Sequence, residues 1–285
     1  MQNLRGKTAF VTGGASGIGL ALGQAFAQAG MRVMLADIET DALALAVKQM
    51  RGFESDVRGV ACDVSDPEAV EYAAKETYAS FGNVHVVCNN AGVAGRSGID
   101  DISLDTWRWV LDVNVMGVLH GVRTFLPHIR SHGEGGHFVN TASMARLNTS
   151  PYSASKFAVV NISEGLAKQI APLGIGVTIV CPGFVRTRIS GSARNRQQRF
   201  GKLHIDPASP AGKHVARQAE LAQAGIDPAD VAAQTLRAIK ENELYVFTHA
   251  GREWRDELSE RFDRVLAAFD AAAARRSNNK RQVDF

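Results

Sequence analysis

Cysteine is scarce in this chain, and the little there is does not pair. Cys62, Cys88 and Cys181 are odd in number and each sits in or beside an apolar run. That excludes a small secreted scaffold stapled by disulfides and leads us to expect free thiols in a reducing compartment. Long apolar runs are also missing: none approaches the roughly 18 residues needed to span a bilayer, and residues 1–7 lead straight into a strand pattern without a leader-like segment. A cytoplasmic location with no membrane partner is the expectation. An excess of one charge is lacking too, because the formal net charge is only +3 with 21% charged residues, which gives no case for nucleic acid. No internal repeat is visible.

What is present is apolar residue in quantity, 45% of 285 positions, enough for a large core. Short β-branched runs at 8–12, 32–36, 57–62, 84–88, 137–141, 177–181 and 244–248 alternate with longer helical patterns. Asp66-Pro67 and Asp227-Pro228 each supply a capping carboxylate followed by proline at the first helical position. Because crossovers between parallel strands are right-handed, this pattern predicts an α/β fold: a doubly wound, Rossmann-type sheet of seven parallel strands with helices on both faces. We expect a single domain over 1–285. Two segments break the alternation: 186–226, polar and arginine-rich, reads as a substrate lid, and 267–285 as a C-terminal tail. Arg186, Arg188, Arg194, Arg196, Arg199 and Lys202 either attract an anionic substrate or form a solvated helix face.

After the first strand comes Thr12-Gly13-Gly14-Ala15-Ser16-Gly17-Ile18-Gly19, then a helical pattern. Glycines there permit a sharp turn and a close approach of backbone amides to a pyrophosphate, which the positive end of the helix dipole favours. The spacing departs from G-x-G-x-x-G, and such a turn can also merely connect two elements. Asp37 ends the second strand 18 residues beyond Gly19, where a carboxylate accepts hydrogen bonds from the adenosine ribose and repels a 2′-phosphate. Its alternative role as a helix cap is better filled by Thr40 or Asp41. No basic residue interrupts the turn or follows Asp37 directly, so NAD is expected over NADP. Tyr152 and Lys156 stand four apart on one helix face. A phenol with pKa about 10 becomes a usable base only beside a cation. The same spacing also occurs on plain amphipathic helices.

From about residue 7 to 187 the chain resembles the classical short-chain dehydrogenases/reductases. The resemblance rests on the glycine turn, Asp63-Val64, Asn89-Asn90-Ala91-Gly92, Asn114-Val115-Met116-Gly117, Ser143, Tyr152-Ser153-Ala154-Ser155-Lys156, and Pro182-Gly183-Phe184-Val185-Arg186-Thr187, all in order. It implies a tetrad: Ser143 bonding the substrate oxygen, Tyr152 exchanging its proton, Lys156 lowering the tyrosine pKa and holding the nicotinamide ribose, and Asn114 positioning a relay water. It also implies that Gly13, Ser16, Gly17, Ile18 and Gly19 hold the cofactor, with Asp63 and Val64 at the adenine, Asn90, Ala91 and Gly92 on the adenosine side, and Pro182, Gly183, Val185 and Thr187 at the nicotinamide. One departure is that Ser143 precedes Tyr152 by only nine residues, a shorter separation than family members usually carry, which leaves Thr141 as the fallback hydroxyl. Beyond residue 187 the chain resembles a branch that includes bacterial aryl-alcohol Cα-dehydrogenases, in Arg188-Ile189, residues 195–200 and 227–261, and especially Glu243-Leu244-Tyr245-Val246-Phe247-Thr248-His249.

The function so implied is NAD-dependent interconversion of a secondary alcohol and a ketone, on an aromatic or bulky hydrophobic small molecule. An NADPH-dependent ketone or acyl-carrier reductase and a non-catalytic NAD-sensing protein are the rivals. Trp107, Trp109 and Phe184 either line an aromatic pocket or pack the core. His128 and His132 have ligand-like spacing, but no third ligand is suggested and Gly133 marks a helix end, so no catalytic metal is expected. By resemblance the chain forms a homotetramer or a dimer.

Overall fold

In the computed structural model, which describes residues 1–95, 102–144, 149–201, 206 and 208–283, every strand expected from the sequence forms. They are β1 (Thr8–Thr12), β2 (Arg32–Asp37), β3 (Val57–Ala61), β4 (Val86–Asn89), β5 (Gly136–Thr141), β6 (Ile175–Cys181) and β7 (Tyr245–Phe247). All pair in parallel, in the order β3-β2-β1-β4-β5-β6-β7. The strand order reverses between β1 and β4, and the crevice at their carboxyl ends is where open α/β sheets bind ligands.

Side chains alternate across each strand, so one strand feeds two cores. Phe10 of β1 packs on one face with Trp109, Phe125 and Ile170, whereas its neighbours Ala9 and Val11 pack on the other with Leu22, Phe26 and Ile239. The first face is covered by α3 (Pro67–Phe81), α4 (Leu104–Leu111), α5 (Gly117–His132) and α6 (Pro151–Ile170). The second is covered by α1 (Gly17–Gln28), α2 (Thr40–Gln49) and α8 (Pro228–Glu241), with α7 (Pro210–Gln223) lying in the arginine-rich segment. The aspartate-proline starts behave as expected: Asp66 accepts from Glu68 N and Asp227 from Ala229 N, each at the head of its helix.

The 186–226 excursion is pinched shut at its base. Val185 and Ile226 form an isolated parallel bridge, with Arg186 N donating to Ile226 O and Ile226 N to Phe184 O. Residues Met1–Thr248 form one compact unit that holds the whole sheet. Residues His249–Phe285 form a second, built on α9 (Arg252–Val283), so the described part of the expected tail is helical, in keeping with its alanine and arginine content. Among the described residues, no helix is long and apolar enough to cross a membrane.

Candidate active site

The crevice is walled on one side by the glycine turn. Gly17 sits at φ +54°, the left-handed region, and a Cβ there would lie 3.0 Å from the Thr187 methyl. At Gly19 a Cβ would lie 2.0 Å from Gly13 O and 2.6 Å from Asn90 Nδ2, so any side chain would force the turn open. Thr12 ties this turn to the loop after β4: its hydroxyl accepts from Asn90 N at 2.9 Å and Ala91 N at 3.0 Å and donates to Cys88 O. Asn90 Nδ2 returns a bond to Thr12 O. Sequence reasoning left Thr12 out of the site, although its place at the end of β1 was the available signal.

The fit of a dinucleotide can be judged from this donor set. Ser16 caps α1 without a side-chain hydrogen bond and the first turn carries no acidic residue, so the positive helix end faces the crevice without an internal counter-charge. Asp37 lies at its edge, with Oδ2 accepting from Ala15 N and Oδ1 from Glu39 N, both at 2.9 Å. A carboxylate offers about four acceptor positions, so two remain for ribose hydroxyls. Across the crevice, a Cβ on Gly92 would come within 3.3 Å of Asn114 Oδ1 and 3.4 Å of Lys156 Nζ, so bare backbone there leaves a cradle beside the cation. These residues suit a dinucleotide. Asp63 is more occupied than expected: Oδ1 accepts from Ser65, and Oδ2 from Gln197 Nε2 at 2.8 Å. Val64 is buried and its carbonyl meets the His120 ring.

Tyr152 and Lys156 enter from the first turns of α6, whose start is fixed by Pro151 and by the Ser150 hydroxyl accepting from Ser153 N. Lys156 is buried, its Nζ donating to Thr141 O at 2.7 Å and lying 5.7 Å from the centre of the Tyr152 ring. Burial lowers its pKa to about 8, against a small opposing pull from Cys181. Burial also raises the Tyr152 pKa, and a hydrogen bond with the Ser143 side chain works in the other direction. Burial outweighs that bond, so the net direction is upward, opposite to the lowering that the resemblance implies. Ser143, rather than Thr141, meets the phenol despite the short separation: the Thr141 hydroxyl is spent on Asn90 Oδ1. Of the residues between Ser143 and Tyr152, positions 145–148 lie outside the described residues.

Asn114 lies in a π-turn, Asp112–Met116, between α4 and α5. Such turns are frequent at functional sites. Its side chain is fully buried, accepting from Val93 N at 2.8 Å and donating to Val93 O at 3.0 Å and to Ser155 Oγ at 2.9 Å. Ser155 in turn donates to Tyr152 O. Ser155, to which the sequence motif assigns no role, is the link between Asn114 and the first turn of α6. On the far wall, Pro182 O accepts from Ser143 Oγ at 3.5 Å and Gly183 N donates to Thr248 Oγ1 at 3.0 Å.

Four arginines of the 186–226 segment are tied down. Arg194 makes a two-pronged pair with Glu39, Arg186 pairs with Asp227, Arg199 donates to Ser65 Oγ, and Arg196 donates to Thr106 Oγ1 while lying 5.2 Å above Trp109. Neither a free anion cradle nor a plain solvated face describes them, and Lys202 lies outside the described residues. Trp109 is fully buried and belongs to the core. His132 spends one ring nitrogen on Val84 O and the other on Glu134 N, and His128 stacks on Tyr78. Among the described residues, no three His, Cys, Asp or Glu gather to hold a metal. All three cysteines are free and buried, and burial pushes the thiols of Cys62 and Cys181 up to about 12.

Residues 7–198 match the sequence model of a family described as short chain dehydrogenase. The chain is 31% identical to a C alpha-dehydrogenase of a Sphingobium species over 93% of this chain and 87% of that protein. It is 34% identical to a 1-deoxy-11-beta-hydroxypentalenate dehydrogenase of Streptomyces avermitilis, over 93% and 92% respectively. Among solved structures, a short-chain dehydrogenase/reductase from Burkholderia phymatum in complex with NAD superposes with a TM-score of 0.83 at 36% identity, covering 87% of this chain and 91% of that one.

Proposed function

Because this chain belongs to the short-chain dehydrogenase family, we propose that its particular reaction is the NAD-linked interconversion of a secondary alcohol and a ketone, with Tyr152 as the proton-transfer group. The observation that carries this reading is the contact of the Tyr152 phenol with the Ser143 side chain, beside a buried Lys156 and across from a bare glycine backbone.

A bound nicotinamide dinucleotide supplies the hydride acceptor. Tyr152 removes the hydroxyl proton of the alcohol, and Ser143 donates to the same oxygen as it becomes a carbonyl. Lys156, held by Thr141 O, stabilises the phenolate and reaches the nicotinamide ribose. The Asn114 amide is already spent on Val93 and Ser155, so this residue acts by positioning: it fixes the loop after β4 against the start of α6, where a relay water would sit. Gly13, Ser16, Gly17, Ile18 and Gly19 would hold the pyrophosphate, Asp37 the adenosine ribose, and Asp63, Val64 and Asn90 to Gly92 the adenine side. Pro182, Gly183, Val185 and Thr187 would hold the nicotinamide.

Asp37 argues for NAD and for the oxidative direction. The Cα-dehydrogenase and hydroxypentalenate dehydrogenase relatives support a bulky hydrophobic alcohol. The remaining features we assign are a homo-oligomer, dimer or tetramer, working in the cytoplasm. The test is a panel of aromatic and alicyclic secondary alcohols assayed for NADH and NADPH formation. The reading expects turnover with NAD and kcat/KM at least about tenfold lower with NADP, since a buried charge clash costs more than the 1.4 kcal/mol equal to that factor. Preference for NADP, or no turnover with any alcohol, would overturn it.

A further inference from the structure

Asp37 is not the only charge at the edge that we assign to the adenosine ribose. Glu39 stands two residues on and is joined to it directly, its backbone N–H donating to Asp37 Oδ1 at 2.9 Å. Its carboxylate is taken up by the 186–226 segment: Oε1 accepts from Arg194 Nη2 at 2.6 Å and Asn195 Nδ2 at 2.9 Å, and Oε2 from Arg194 Nε at 3.1 Å. The remaining Arg194 nitrogen donates to Arg188 O and Gly191 O, which fixes the guanidinium at this edge whatever Glu39 does. Arg188 lies near enough to act on Glu39 through its charge. The Glu39 carboxylate thus meets the Arg194 fork across 155 residues of sequence, while its own backbone is bonded to Asp37.

This balance bears on cofactor choice. A 2′-phosphate is recognised by arginine, and the fork of Arg194 is the geometry that binds it. With Glu39 in place that fork is occupied. Without it, the Arg194 guanidinium would stand open beside the edge assigned to the adenosine ribose. We propose that Glu39 is a second determinant of cofactor choice, which acts by sequestering Arg194, so that a guanidinium standing beside the ribose site does not recruit the phosphorylated dinucleotide. The inference rests on the proposed reading that this crevice holds the adenosine half of the cofactor. It assigns to the pair a role distinct from that of Asp37: Asp37 repels the phosphate, and Glu39 disarms the cation that would attract it.

Equilibrium binding of 5′-ADP and 2′,5′-ADP, measured by calorimetry at low and high salt, tests this without reference to turnover. Glu39→Gln is expected to bind 2′,5′-ADP about tenfold or more tightly than the wild type, the scale of releasing one charge-assisted pair, with 5′-ADP affinity unchanged within about threefold. The gain should shrink at high salt, and adding Arg194→Met to Glu39→Gln should remove most of it, while Arg194→Met alone, which frees the Glu39 carboxylate, gives no gain. An unchanged ratio in Glu39→Gln, or a gain that survives in the double variant, would overturn the assignment while leaving the cofactor reading intact. Failure of the wild type to bind 5′-ADP at all would overturn that reading and this inference with it.

Discussion

At the scale of single residues, the chemistry turns on how burial and hydrogen bonding compete at one phenol. Burial raises the Tyr152 pKa, and the bond with Ser143 is the opposing influence within the protein. Removing that bond takes away a stabiliser of the phenolate, so the group should titrate at higher pH. Ser143→Ala is therefore expected to move the rising limb of the kcat/KM profile to higher pH, as well as lowering turnover, and Ser143→Thr should restore its position. An unmoved limb in Ser143→Ala would contradict the contact. Order along the chain singled out Ser143, Tyr152 and Lys156, and the structure brings these three side chains together. The Arg194–Glu39 pair was not legible, since nothing local to Asp37 announces a cation arriving from the segment after β6.

At the scale of elements, periodicity and punctuation were sufficient for the sheet. The buried strand β1 reads as a short, largely apolar run between Gly6 and Gly13, and the aspartate-proline pairs marked true helix starts. The π-turn at Asn114 was beyond such reading, because α4 and α5 continue one helical pattern through it and a single extra backbone residue leaves no mark on the 3.6-residue period. The glycine turn is the element most exposed to substitution. Gly19→Ala places a Cβ against Gly13 O, which is backbone and cannot swing aside. We expect a loss of about 1–3 kcal/mol in urea unfolding together with weakened 5′-ADP binding, whereas wild-type stability and affinity would contradict the close approach.

At the scale of the whole molecule, stability should fall on the acid side well before the carboxylates titrate. His137 on β5 is fully buried, its Nε2 bonded to Thr178 Oγ1, which itself donates to Glu243 O, and burial depresses its pKa to about 3. The folded form thus keeps His137 neutral while the unfolded chain protonates it near pH 6.5. The unfolded state then binds the extra proton, so stability is full above that pH and drains by about 1.4 kcal/mol per unit as the pH falls toward the folded value. Glu39, held down to about 2 mainly by Arg194, acts with the same sign but only below its ordinary range. Urea unfolding between pH 6.5 and 4.5 should show this slope, and His137→Gln should flatten it. Equal slopes in the two proteins would assign the acid sensitivity elsewhere.

The central claim is that Tyr152 moves the proton, and one pair of measurements on Tyr152→Phe addresses it. NADH binding is read by fluorescence titration, and alcohol oxidation by NADH formation on the best substrate of the panel. The account predicts an NADH affinity close to the wild type's and a turnover lower by about 10³-fold or more, in line with the loss of a positioned general base. A variant that oxidises the alcohol at near the wild-type rate would contradict it.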